Sequence, residues 1–340
     1  MGANGVKKTK VLIVDDSLLF REVLSRSISA DPILEVVASA TDPYDARDKI
    51  LRYSPDVMTC DVEMPKMNGI EFIRQLLPQY PLPVVVVSSV SYAVFDAMNA
   101  GAIDFVTKPT KKDASSIEKF IDELIAKIKV AANAKVTAPE KPEAAKIARH
   151  YSPDDKTIIA MGASTGGTEA LYNILTSLPA QMPGIVIVQH IPPLFSRMFA
   201  ERLNDNTRLN VKEADNSDWV EPGKILIAPG DQHMSIKKIG CKYKVNVFKG
   251  EKVSGHCPSV DVLFDSVATA AGKNAIGVIL TGMGSDGAKG LLNMRQMGAK
   301  TIGQNESSSV VYGMPRVAFE IGAVEKVAPL QKIPQLLFSL

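Results

Sequence analysis

Three residue types capable of acyl-transfer chemistry stand out in the second half of the chain. Ser164 lies in Gly162-Ala163-Ser164-Thr165-Gly166, a G-x-S-x-G pattern within the stretch TIIAMGASTGG over residues 157–167. The pattern lifts a hydroxyl out of the end of a parallel strand, on a turn where glycines permit unusual angles and leave room for substrate. A helix beginning near Thr165 would aim backbone N–H groups and a positive dipole end at the same place, which suits a developing oxyanion. Standing alone, the motif reads equally well as an ordinary Gly-rich strand–helix turn or as a phosphate cradle. His190 closes the apolar strand 185–189 and precedes Ile191-Pro192-Pro193, the placement of a general base, although a lone histidine is more often a core residue. Asp286 sits in the Gly-rich TGMGSDGAKG after strand 275–280 and ahead of helix 288–297, where helix capping is the competing reading.

Together they form a set, because each occupies the carboxyl end of a different strand of one sheet, where such ends converge. His190 would take the proton of Ser164 Oγ, while Asp286 would fix the imidazole tautomer and stabilise its charged form. Oxyanion donors are expected in the Ser164 turn, at Thr165, and in the Gly282-Met283-Gly284 loop. The chain order Ser…His…Asp differs from the Ser…Asp…His of α/β-hydrolases, so the elbow motif does not import that fold.

The first half carries a second constellation. Asp15 and Asp16 follow the apolar strand 10–14, Asp61 ends strand 57–61, Ser88 ends strand 84–88, and Lys108 follows strand 104–107. Crowded carboxylates repel unless a hard cation neutralises them, and oxygen donors suit Mg²⁺, with Asp15, Asp16 and Asp61 as its ligands. Asp61 would accept a phosphoryl group, with Lys108 balancing charge and Ser88 donating to a phosphoryl oxygen. A cis Lys108–Pro109 bond is also expected. Asp15 and Asp16 alone could simply cap the helix after them.

The elements that must hold these residues alternate. Strands 10–14, 35–38, 57–61, 84–88 and 104–107 are separated by helices near 43–53, 69–77 and 94–99, and an amphipathic helix covers 116–131. This predicts an α/β fold, a flavodoxin-like doubly wound domain at 1–131. Residues 132–155, with three prolines and many charges, read as a linker, and His150 within it receives no role. Residues 156–340 form a second α/β domain with a mainly parallel sheet. With 340 residues, 46% of them hydrophobic, each half can bury a core. A net charge of +2 and the lack of a basic stripe argue against nucleic acid. Three scattered cysteines make neither a disulfide framework nor a zinc pattern, and His256, Cys257 and Cys241 are not spaced as a metal set. With no signal-peptide core and no spanning run, a cytoplasmic protein without membrane insertion is expected. His233, His256 and Trp219 could line the cleft or pack. Arg197 and Arg202 could meet an acidic partner, or be solvated.

DVEMPKMNG around Asp61 and GAIDFVTKP around Lys108 closely resemble the receiver of two-component response regulators. MGASTGG, QHIPP, FAERL, IAPGDQHM, GHCPSVDVLF, TGMGSDGAKG and VVYGMPRVA resemble the effector of the chemotaxis protein-glutamate methylesterase family, which also deamidates glutamine. The resemblance covers nearly the whole chain apart from the linker. It implies a Mg²⁺-dependent phospho-aspartate at Asp61, sensed by Ser88 and Phe105 as a switch pair. The family's triad falls on Ser164, His190 and Asp286 and its oxyanion-hole residue on Met283, with no cofactor for the esterase. The implied substrates are methylated glutamates on the cytoplasmic helices of methyl-accepting chemoreceptors, and the phosphodonor is a chemotaxis histidine kinase. Deamidation rests on the resemblance alone, and a monomer is expected. Two departures stand out. Ile191 replaces a common Met, and the segment between Ser89 and Gly101 is several residues short, which leaves a partner-facing surface open. The competing classes are a non-catalytic regulator that binds a protein partner, and a nucleotide-binding domain. The latter lacks both G-x-G-x-x-G and a Walker lysine.

Overall fold

The computed structural model describes residues 7–89, 92–111, 113–136 and 156–339. The chain divides into two compact units, Met1–Glu140 and Lys141–Leu340. Most of the expected linker, with His150, lies outside the described residues, as do residues 90–91 of the short segment after Ser89. Among the described residues, no helix is long and apolar enough to cross a membrane.

The first unit alternates strictly: β1 (Thr9–Val14), α1 (Leu18–Ser29), β2 (Leu34–Ala40), α2 (Pro43–Tyr53), β3 (Val57–Asp61), α3 (Gly69–Leu76), β4 (Val84–Ser88), α4 (Ala93–Asn99), β5 (Asp104–Thr107) and α5 (Ala114–Ala131). Its sheet has the order β2-β1-β3-β4-β5 with every pair parallel, the doubly wound order expected. β3 and β4 are buried at every position. A strand covered on both faces cannot alternate, so VMTCD and VVVVS are continuous apolar runs. Ser17, Asp42, Asn68 and Asp113 each accept a first-turn N–H and so start α1, α2, α3 and α5. Asp113 caps α5, which begins two residues before the expected start. The expected cis bond at Lys108–Pro109 is absent; among the described residues the cis bond is Cys257–Pro258. A residue before proline is already biased to extended backbone. The Lys108 N–H also bonds the Ser88 carbonyl (2.8 Å), so β5 carries Lys108 to the site without a reversal.

The second unit contains β6 (Ile158–Ala163), α6 (Gly167–Thr176), β7 (Gly184–Gln189), α7 (Pro193–Asn206), β8 (Asn210–Glu213), β9 (Trp219–Val220), β10 (Lys224–Ile227), β11 (His233–Ile239), β12 (Lys242–Phe248), α8 (Val260–Ala271), β13 (Ala275–Ile279), α9 (Ala288–Gln296), β14 (Lys300–Gln304), α10 (Met314–Glu320), β15 (Lys326–Ala328) and α11 (Ile333–Ser339). Seven parallel strands run β15-β14-β13-β6-β7-β10-β8. From central β6 the chain builds first toward β7, then returns to place β13 on β6's other edge. The carboxyl ends of β13, β6 and β7 thereby become neighbours at the switch point. A separate antiparallel sheet, β11-β12-β9, was not anticipated. Its Met234, Ile236, Val245 and Val247 share a core with Leu263, Phe264 and Val267 of α8. The alternating burial of β12 matches its KYKVNVF pattern of a half-buried strand.

α8 and α9 touch where Gly290 has no side chain. A Cβ there would lie 2.7 Å from Phe264 Cβ and 2.9 Å from the Asp261 carbonyl oxygen. Gly290→Ala is expected to destabilise the unit by about 1–3 kcal/mol through overpacking. Denaturant unfolding measures this, and an unchanged midpoint would mean the helices can separate freely.

Candidate active site

The second unit's site is built on the three adjacent strand ends. After β6, the Ser164 N–H donates to the Thr281 carbonyl (3.0 Å), and the Ser164 carbonyl accepts from the Gly167 N–H (2.7 Å). The residue that takes the left-handed conformation is Gly166, at φ 75°, so α6 begins at Gly167 rather than near Thr165. The 281–284 loop passes so close that a Cβ on Gly282 would lie 2.6 Å from Ser164 Cβ. Gln189, at the end of β7, donates through Nε2 to the carbonyls of Ser164 (2.9 Å) and His190 (3.1 Å), tying the two strand ends together.

His190 is brought beside this turn by its own N–H, which bonds the Ala163 carbonyl (3.1 Å). Its Nε2 lies 2.8 Å from Asp286 Oδ2. Nδ1 is buried and has no partner among the described residues. The imidazole is therefore turned the other way round from the familiar serine-protease arrangement, in which Nδ1 meets the carboxylate. The proton on Nε2 is assigned from this contact, leaving the lone pair on Nδ1.

Asp286 does not cap α9, whose N-cap is Gly287. Its carboxylate instead sits at the start of α8. Oδ1 accepts from Ser259 Oγ (2.8 Å) and the Asp261 N–H (3.0 Å), and Oδ2 accepts from the Val260 N–H (2.8 Å) as well as from His190. Burial alone would raise its pKa, but the bonds from His190, Asp261 and Val260 outweigh it and hold the carboxyl below its usual value. An anion at a helix N-terminus is favoured by the orphan N–H groups and by the dipole.

Of the expected oxyanion donors, Met283 has an N–H with no partner among the described residues, while its side chain is more than half exposed. The Ser164 N–H is excluded, since Thr281 already takes it. Thr165 lies in the same turn, with its carbonyl held by Thr281 Oγ1 (3.0 Å). His233 is buried and structural, accepting from the Ser259 N–H at Nδ1 (3.2 Å) and donating from Nε2 to the Glu251 carbonyl (2.9 Å). His256 stacks on His190. Trp219 is on β9 beneath Lys244, away from these residues in the sheet order. Arg202 is packed against Glu169 and Tyr172, whereas Arg197 is exposed and pairs with Glu201 on its own helix.

In the first unit, Lys108 Nζ bonds Asp15 Oδ2 (2.8 Å) and Asp61 Oδ2 (2.6 Å). Asp15, Asp16 and Asp61 each offer one oxygen within 4.8 Å of the others. Arg21 Nη1 grips the carbonyls of Asp15 (2.7 Å) and Asp16 (3.0 Å) from α1. Burial pushes the Asp61 carboxyl up and Asp15 adds to this, with Lys108 offsetting part. Burial works to lower the Lys108 pKa, but its two carboxylate partners raise it. Ser88 Oγ is buried without a partner among the described residues. Phe105 is buried, under the Lys127 ammonium 5.1 Å from its ring centre.

Sequence reasoning missed Gln189, Ser259 and Thr281. Ser259 carried a usable signal, because a serine ahead of the apolar run Val260–Ala271 is a helix N-cap. Gln189 and Thr281 carried none, since they act through contacts between strands distant in sequence. Ser259→Ala removes a cap and one donor to Asp286. It is expected to cost about 1–2 kcal/mol in unfolding experiments and to slow catalysis roughly 10-fold. Full activity in the variant would show that the backbone donors hold Asp286 unaided.

The CheB methylesterase family matches residues 159–337, and the response regulator receiver domain matches residues 11–118. A protein-glutamate methylesterase/protein-glutamine glutaminase from Syntrophomonas wolfei is 57% identical, over 98% of both chains. The Salmonella typhi protein of the same description is 46% identical over 98% of this chain and 97% of its own. The crystal structure of the Thermotoga maritima CheB methylesterase catalytic domain superposes with a TM-score of 0.53 at 39% identity, over 54% of this chain and 97% of that one. The chain thus joins a receiver to an esterase effector and belongs to the CheB family of protein-glutamate methylesterases/protein-glutamine glutaminases.

Proposed function

We propose that this chain hydrolyses glutamyl γ-methyl esters on chemoreceptors, releasing methanol, and deamidates receptor glutamines, under control of receiver phosphorylation. The observation that carries the reading is the 2.8 Å bond between His190 Nε2 and buried Asp286, at strand ends adjoining the Ser164 turn. Ser164 Oγ attacks the γ-carbonyl carbon as its proton passes to His190 Nδ1. Asp286 stays ionised and stabilises the imidazolium across Nε2–H. The oxyanion is met by the N–H groups of Met283 and Thr165. Collapse breaks the ester C–O bond, and the His190 proton leaves with methanol, or with ammonia when the substrate is glutamine. Water then attacks the acyl-Ser164, giving its proton to His190; the C–Oγ bond breaks, His190 returns the proton to Ser164 Oγ, and glutamate is released.

In the receiver, Asp61 is the phosphoryl acceptor and Lys108 the charge partner of the acyl phosphate. Three carboxylate oxygens within 4.8 Å fit a hard divalent ion, and Asp15, Asp16 and Asp61 would hold Mg²⁺. When bound, the ion neutralises charge on the transferring phosphoryl group. Ser88 Oγ, buried and unpartnered among the described residues, is the hydroxyl suited to a phosphoryl oxygen, with Phe105 as its switch partner. A histidine kinase is the phosphodonor, and the unphosphorylated receiver restrains the esterase, a population shift between two arrangements.

Methanol release from methylated receptor tests this. Ser164→Ala is expected to lose at least about 10⁴-fold in kcat. Asp61→Asn should keep basal activity but ignore acetyl phosphate with Mg²⁺, and removal of residues 1–150 should raise basal activity. Amidated receptor should gain about 1 Da per glutamine, as NH₂ is exchanged for OH. Full activity of Ser164→Ala would overturn the esterase assignment, and a phosphate response in Asp61→Asn would overturn the receiver assignment.

A further inference from the structure

His256 has no part in the mechanism above, yet its ring lies face to face with that of His190, centroids 3.7 Å apart and planes 10° from parallel. A built bracket delivers it there. Val253 and His256 exchange both backbone hydrogen bonds (3.0 and 2.9 Å), closing a tight turn whose central residues, Ser254 and Gly255, have φ of 51° and 84°. Positive φ at both positions marks a type I′ turn. Ser254 Oγ donates to Asp261 Oδ2 (2.8 Å), and Asp261 Oδ1 accepts the Gly290 N–H (2.8 Å). The Asp261 N–H in turn bonds Asp286 (3.0 Å). Beyond the turn, His233 joins the Glu251 carbonyl to the Ser259 N–H. Both arms are thus tied to residues that grip Asp286. The His256 side chain makes no hydrogen bond among the described residues, so its ring face is what it presents.

We propose that His256 is a positioning residue for the hydrolysis, a flat plate that locks the His190 ring with Nε2 on Asp286 and Nδ1 free for the serine proton. This rests on the esterase reading of Ser164, His190 and Asp286. For the imidazole to turn about its Cβ–Cγ bond, its edge must sweep through the space that a ring at contact distance fills, and a packed interior does not open cheaply. The plate also acts on charge. Once His190 takes the proton, the imidazolium lies over the electron-rich face of a neutral ring, an attraction of the cation–π kind. A charged ring in the same place would repel it. Burial first, then His190 and Lys252, push the His256 pKa down, Asp286 works the other way, and the outcome is about 4. His256 is therefore neutral at neutral pH.

The test uses the full chain with His256→Ala, His256→Gln and His256→Phe. Phenylalanine keeps the flat face without a titrating nitrogen, while glutamine keeps polarity and bulk without a ring. Methanol release from methylated receptor should show kcat down about 10- to 100-fold in the Ala and Gln variants with KM within about twofold. The Phe variant should stay within about threefold of the parent. Proton NMR reads positioning without substrate: the downfield Nε2–H resonance of the His190–Asp286 bond should persist in His256→Phe and vanish in the other two. Melting curves separate this from unfolding, and if His256→Ala does not fold, the Gln and Phe pair decides. Parent-like kcat and a retained resonance in folded His256→Gln would overturn the proposal. So would a folded His256→Phe that falls as far as Gln. A parent protein with no esterase activity would sink the underlying reading, while the resonance would still report whether His256 holds His190.

Discussion

The second unit depends on the burial of one carboxylate. Asp286 is 1% exposed, and an ionised group taken out of water costs several kcal/mol unless its oxygens are satisfied. Four donors satisfy it, and three of them belong to the start of α8. That requirement fixes the surrounding architecture. The N-terminus of α8 must face the loop after β13, so Gly162 and Gly287 lie so close to Val260 that a Cβ on either would come within 2.4 Å of it. α9 must come up to Asp261, hence Gly290. The fourth donor is His190, so satisfying the carboxylate also orients its imidazole.

The receiver treats buried carboxylate differently, and the contrast bears on function. Asp61 is held at a raised pKa, because burial and Asp15 are only partly answered by Lys108. Asp286 is held at a lowered pKa by an excess of donors. An under-compensated carboxylate gains from a divalent ion and from conversion to an acyl phosphate. An over-compensated one stays ionised. By linkage, Asp286 stabilises the fold above the unfolded carboxyl pKa of about 3.9, and that contribution is lost as pH falls through its lower folded value. For Asp61 the sign reverses, and its ionisation works against the folded state as pH rises past the unfolded value.

Much of this was legible in the sequence, for identifiable reasons. Parallel strands buried on both faces announce themselves as unbroken apolar runs, and in both units the candidate site residues end or directly follow such runs: Asp15, Asp61, Ser164, His190. The antiparallel β11-β12-β9 sheet was missed although KYKVNVF of β12 alternates and Gly240 marks the turn before it; only the two-residue β9 carries no period. Asp286 offered two readings, catalytic or capping, because a Gly-rich loop before a helix serves either. Its partners lie 25–27 residues upstream, at Ser259–Asp261, which no local pattern links to it. Lys108–Pro109 shows the limit of proline as a signal, since proline lowers the cost of the cis isomer without selecting it. The orientation of His190, with Nε2 rather than Nδ1 on the carboxylate, is a property of packing and had no signal in the chain.

The most direct measurement is rapid acid quench of the enzyme with a glutamyl methyl ester receptor peptide, followed by mass mapping of the protein. Nucleophilic attack by Ser164 predicts a transient adduct of the peptide less methanol on the fragment containing residues 157–167, absent in Ser164→Ala. Turnover without any adduct, or an adduct on another residue such as Cys257, would contradict the account.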